Sequence, residues 1–169
     1  MIKRAIFVFL IAALILLAGC AGGSGGGFSE KDFYLSIAGA DYRCGEGIDR
    51  AVEGLGPEYG YAEGLSCAYD SVDKTYSFDS ATFYTNPMPD GDLISEIYSQ
   101  SPEAKTSGGI SPGASKEEVL AAHGEGADDL GNLIVYRVPD REGARGRGSL
   151  CFEIENDLVI AIFITTEPM

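Results

Sequence analysis

The chain has 169 residues with 12 basic and 26 acidic side chains, a net charge of −14, and nine tyrosines but no tryptophan. That balance excludes nucleic acid as a partner, since binding it depends on neutralising phosphates with Lys and Arg. The length and the 45% hydrophobic content suit one ordinary domain or two small repeats, and exclude disorder as the general state.

Lys3 and Arg4 precede an apolar run from Ala5 to Leu17, shorter than the roughly 20 residues that cross a bilayer. A signal peptide over residues 1–19 is the expected reading. Leu17-Ala18-Gly19-Cys20 then has the form of a lipobox, in which small residues admit the peptidase and the Cys20 thiol takes a diacylglycerol. The mature chain would begin at Cys20 and be held by lipid to the outer face of the cell membrane, outside the cytoplasm. Residues 20–30 read as the lipidated cysteine and a flexible tether, because Gly22–Gly27, GGSGGG, has no side chains with which to build a core. Loss of Lys3 and Arg4 leaves 10 basic against 26 acidic residues, a mature charge of −16. An anionic bilayer would repel such a domain, so the lipid must supply the anchoring.

Beyond the tether the sequence repeats itself. Gly45–Gly56, GEGIDRAVEGLG, and Gly113–Gly124, GASKEEVLAAHG, are related by a shift of 68 residues. In the first, Ile48, Ala51, Val52 and Leu55 form one apolar helix stripe, and Gly56-Pro57 ends it. In the second, Ser115 and Glu118 form a capping box, Val119 and Leu120 supply the apolar face, and Gly124 is the stop. Strands are predicted at Leu65–Tyr69, matched to Leu133–Tyr136, and at Leu93–Tyr98, matched to Leu158–Phe163. Thr75–Phe78 and Ala81–Asn86 lie between them in the first copy and Leu150–Ile154 in the second, with turns at Pro89-Asp90-Gly91 and Glu155-Asn156. The expected fold is α+β: two tandem repeats, 31–103 and 104–169, each a short helix packed on its own three- to four-stranded antiparallel sheet. Val52 and Leu120 should face those sheets, leaving the other face of each uncovered.

These repeats, with CGEG…LG…SCAYD…DKTYSF…FYTNP…DLISEIY followed by GISPGASKEEVLAAHG, resemble the β-lactamase-inhibitor-protein-like fold shared with small outer-membrane lipoproteins of the barrel-assembly type. They look closer still to uncharacterised lipoproteins of Gram-positive anaerobes. The resemblance covers about Phe33 to Ile164 and rests mainly on structural residues. It implies tandem helix-plus-sheet units and a protein-binding surface, and it carries no catalytic residues.

With Cys20 taken by lipid, Cys44, Cys67 and Cys151 remain. A Cys44–Cys67 disulfide would pin the first helix to the following strand across 22 intervening residues, worth roughly 3 kcal/mol by chain entropy. Cys151 reads as a buried thiol. The single histidine, His123, takes the helix position of Leu55 and reads as a structural substitution rather than a general base. No metal, cofactor or catalytic residue is expected, because zinc, nucleotide and hydrolase signatures are missing from the sequence. Asp70, Asp73, Asp79, Asp90 and Asp92 gather as turn residues rather than in calcium-loop order. Arg137, Arg141, Arg145 and Arg147 read as a surface hairpin among glycines.

Tyr59, Tyr61, Tyr69, Tyr76, Tyr84, Tyr98 and Tyr136 combine apolar area with a hydroxyl, as residues at interfaces do. The reading is therefore a lipid-anchored, non-catalytic interaction module of the cell envelope that binds a protein. The alternatives are a proteinaceous inhibitor of an extracellular enzyme and an enzyme with dispersed carboxylates.

Overall fold

The computed structural model describes residues 28–89, 91–138 and 148–166. A short 3-10 turn at Glu30–Asp32 leads into β1 (Leu35–Ile37) and β2 (Ala40–Tyr42). Their two-residue loop places Ala38 and Gly39 at φ 51° and 83°, the positive angles that match a tight hairpin to strand twist. Then follow α1 (Asp49–Leu55), β3 (Gly60–Leu65), β4 (Val72–Ser77), β5 (Thr82–Met88) and β6 (Gly91–Ser99). The second half runs through β7 (Lys105–Thr106), α2 (Lys116–His123), β8 (Asp128–Asp129), β9 (Leu133–Arg137), β10 (Gly148–Glu155) and β11 (Leu158–Thr166).

Strands dominate. β3 to β6 and β8 to β11 form one eight-stranded antiparallel sheet in the order β3-β4-β5-β6-β11-β10-β9-β8, and β2-β1-β7 form a small second sheet. This overturns the expected pair of helix-on-sheet repeats. The two halves share a single sheet, joined where Ile162–Thr165 pair with Ser99–Glu96. β1 also pairs with β7, tying the start of the first half to the start of the second. The local periodicity of a strand specifies its faces and not its partner, so helices and strands were readable while the β6–β11 seam was not.

The halves nevertheless repeat the same backbone bonds. Gly45 N donates to Ile94 O and Ile94 N to Glu46 O; Gly113 N donates to Val159 O and Val159 N to Ala114 O. A bulge falls at Tyr84/Thr85 on the β5–β6 pair and at Glu153/Ile154 on the β10–β11 pair. Matching by pairing corrects one expected correspondence. Tyr76 faces Phe83 as Ile134 faces Phe152, so two residues on it is Phe78, not Tyr69, that answers Tyr136. Tyr69 lies in the turn after β3 instead of ending a strand.

One apolar core fills the inner face of the large sheet, and α1, α2 and the small sheet all pack into it. The fully buried helix residues are Ala51 and Val119, which occupy equivalent positions. Val52 is partly buried and packs against the core, whereas Leu120 is half-buried outside it, which corrects the expected facing of Leu120. The predicted capping box on α2 is formed: Glu118 N donates to Ser115 Oγ at 3.2 Å, and Ser115 N donates to Glu118 Oε2 at 2.7 Å.

Candidate functional site

Alternation along the strands sends every second side chain to the outer face of the large sheet, away from the helices. Cross-strand register aligns them in rows. Tyr84, Glu96, Thr165, Ser149 and Arg137 stand side by side on β5, β6, β11, β10 and β9. The adjacent row is Thr82, Tyr98, Phe163, Cys151 and Val135. Tyr98 and Phe163 meet across the seam with ring centroids 6.1 Å apart. The Tyr98 hydroxyl donates to Glu153 Oε2 at 3.4 Å on β10, crossing β11 over the fully buried Ala161, and accepts from Gln100 Nε2 at 3.0 Å.

The two halves of this face differ in access. Tyr84 is 39% exposed, and Glu96, Tyr98, Phe163 and Thr165 are half-buried, whereas Ser149, Cys151 and Val135 are buried outside the main core. Burial raises the Glu96 carboxyl above the usual range, a hydrogen bond from Thr165 opposes the rise, and the nearby Glu153 charge adds to it. Burial, followed by the Glu96 charge, lifts the Cys151 thiol to about 12, too high to act as a thiolate. Among the described residues the ion pairs Glu46–Arg50, Asp92–Lys74 and Asp129–Lys116 lie elsewhere, whereas Arg137 of this face is paired with Asp128 at 3.0 Å on its β8–β9 edge. Among the described residues no cation contacts Glu96 or Glu153.

The other expected residues are dispersed. Cys44 and Cys67 are free thiols in this structure. Cys44 Sγ lies 3.3 Å from Ser95 O and 3.6 Å from Ile164 O at the end of the central seam, and burial pushes its thiol upward. Cys67 is exposed in the turn between β3 and β4, at the sheet's far edge. Cys20 lies outside the described residues, as do Asp90, Arg141, Arg145 and Arg147.

His123 is 6% exposed, packed edge-on against Phe28 and at a tilt against Tyr136 and Phe152, with Nε2 2.8 Å from Thr106 Oγ1. It is thus enclosed in packing, as its match to Leu55 suggested. Asp92 is committed to Lys74 at 2.6 Å, and Asp70, Asp73 and Asp79 are spread from the β3–β4 turn along β4 to the β4–β5 turn. Asp73 Oδ1 is buried without a hydrogen-bond partner among the described residues. No group of three His, Cys, Asp or Glu among the described residues could hold a metal ion.

Of the tyrosines singled out by sequence, only Tyr84 and Tyr98 reach this face. Tyr59, Tyr61 and Tyr76 cluster near the β3 edge with Phe78, and Tyr136 packs inside on His123. Phe163, Glu96 and Glu153 were not anticipated. Their signal was strand alternation, usable only once the β6–β11 pairing was known. Comparison with family models, with curated proteins and with solved structures finds no match to this chain.

Proposed function

We propose that the chain is a non-catalytic binding module, anchored by lipid at Cys20 on the extracytoplasmic side of the membrane, that presents the outer face of its eight-stranded sheet to a protein. The observation carrying this reading is the adjacent, partly exposed set Tyr84, Tyr98 and Phe163 on the face opposite every described helix and the small sheet. Aromatic side chains supply large contact area at low entropic cost and are enriched where partners bind. The rigid sheet beneath holds them in place, which reduces the ordering cost of association. Burial of His123 in the core and the raised thiols of Cys44 and Cys151 support binding over turnover, since none of these groups is placed to meet a substrate.

Crosslinking tests the reading in intact cells, with a photoreactive phenylalanine analogue replacing Tyr84 in the full chain. A discrete crosslinked protein that disappears with Phe163→Ala supports it. The same crosslinks from an analogue placed at Glu117, on the exposed side of α2, would overturn it. Metabolic labelling with palmitate tests the anchor: Cys20→Ala should lose the label, and a labelled, membrane-bound variant would refute the lipobox.

A further inference from the structure

Resting on the binding reading above, we infer that the Tyr98–Phe163 ring pair, with Glu96 and Glu153 on either side, is a docking site for arginine side chains of a partner protein. The geometry sets two partly buried carboxylates around an aromatic pair on an accessible face. Glu96 stands one row from the rings on β6, and Glu153 reaches the Tyr98 hydroxyl from β10. Neither carboxylate is ion-paired with a cation among the described residues; Arg137, on the same face but on β9, is paired with Asp128 instead.

Burying a carboxylate without a counter-charge is costly, so a site of this kind gains most from a ligand that brings the cation. A guanidinium is the better fit than an ammonium. Its planar face stacks on aromatic rings, its N–H fork bonds carboxylates in pairs, and it is the more weakly hydrated of the two. Charge complementarity extends over the whole chain, because a net −14 draws a basic partner at long range and disfavours an acidic one.

The test titrates the full chain, isotope-labelled in detergent micelles, with a peptide of alternating Arg and Gly and with the same peptide carrying citrulline in place of Arg. Saturable shifts centred on Tyr98, Phe163 and Glu153, absent with citrulline, are expected. Glu96→Gln with Glu153→Gln should weaken the Arg peptide by roughly tenfold or more, since two charge-assisted contacts are lost. The control Glu117→Gln with Glu125→Gln removes the same charge from exposed positions and should change affinity by less than about twofold.

Equal weakening by both pairs, or shifts spread evenly over the acidic surface, would show a diffuse charge effect and overturn the inference. Self-association that Phe163→Ala abolishes would assign the face to a second copy and also overturn it. The Tyr84 crosslink separates the two levels. If it persists unchanged with Glu96→Gln and Glu153→Gln, the face binds a protein but not through arginine. If no Tyr84 crosslink forms, the binding reading itself fails.

Discussion

Val119 and Leu120 are neighbours on one helix, and the structure assigns them unequal costs. Val119 is fully buried in the core, whereas Leu120 is half-buried and outside it. Val119→Ala removes two methyl-sized groups, worth about 1.6 kcal/mol at ~0.8 each, and a residual cavity raises the loss to about 2.5 kcal/mol. The higher helix propensity of Ala returns about 0.5, leaving roughly 2 kcal/mol. For a chain of this size that lowers the melting temperature by about 4–8 °C. Leu120→Ala deletes more atoms but should cost about 1 kcal/mol or less, because much of its side chain already meets water. Urea unfolding followed by tyrosine fluorescence and far-UV circular dichroism reads both. Equal costs, or a larger cost at Leu120, would refute the placement of α2.

Acid should weaken the fold through His123. Burial lowers its pKa and the Asp32 charge partly opposes this, so the unfolded chain takes up a proton near pH 6.5 while the folded chain resists. Stability is therefore flat above about pH 6.5 and falls as pH drops from there toward the lower folded pKa. The buried carboxyl of Glu96, raised in the folded state, acts in the opposite sense. Since His123 is the sole histidine, the difference between wild type and His123→Leu isolates its share, and identical slopes between pH 5 and 6.5 would contradict its burial. Thiol labelling should modify Cys67 rapidly in native protein and reach Cys44 and Cys151 only on unfolding; a Cys44–Cys67 disulfide peptide from exported protein would overturn the free-thiol arrangement. Ser115→Ala, which breaks the capping box, should cost about 1 kcal/mol in the same urea assay, and a neutral result would mean the cap does not hold α2.

What could be read in advance divides by the range of the interaction. Glycine stops and the Ser115–Glu118 box marked both helices, and β-branched runs marked β6, β9, β10 and β11, because these signals act within a few residues. β1, β2, β7 and β8 are two or three residues long and carry no such period. β3 was displaced because Leu65 looked like a strand start when it is the strand's end, 88% exposed, on a strand exposed along its whole length. Helix facing slipped by one residue because Val119-Leu120 offers two adjacent aliphatics, and only packing distinguishes them. The outer-face site depended on the one link that no local pattern encodes, the antiparallel pairing of β6 with β11.

That pairing also bears on why the two halves agree more on one side of the sheet than on the other. Several inward positions keep their type under the constraint of a shared core, with Phe83 answering Phe152, Ile97 answering Ile162 and Ile94 answering Val159, although buried Thr85 and Ser99 answer Ile154 and Ile164. Outward positions are released from that constraint. Tyr84 answers Glu153, Glu96 answers Ala161, and Thr82 answers Cys151. Tyr98 and Phe163, which answer each other across the seam, stay aromatic at the centre. Had the outer face repeated as faithfully as the inner one, it would present two equivalent half-sites and accept a ligand in either direction. Instead one carboxylate comes from each half at positions that do not correspond, so a chain docked as proposed would find different partners at its two ends. A face built this way would, under that proposal, distinguish direction as well as charge.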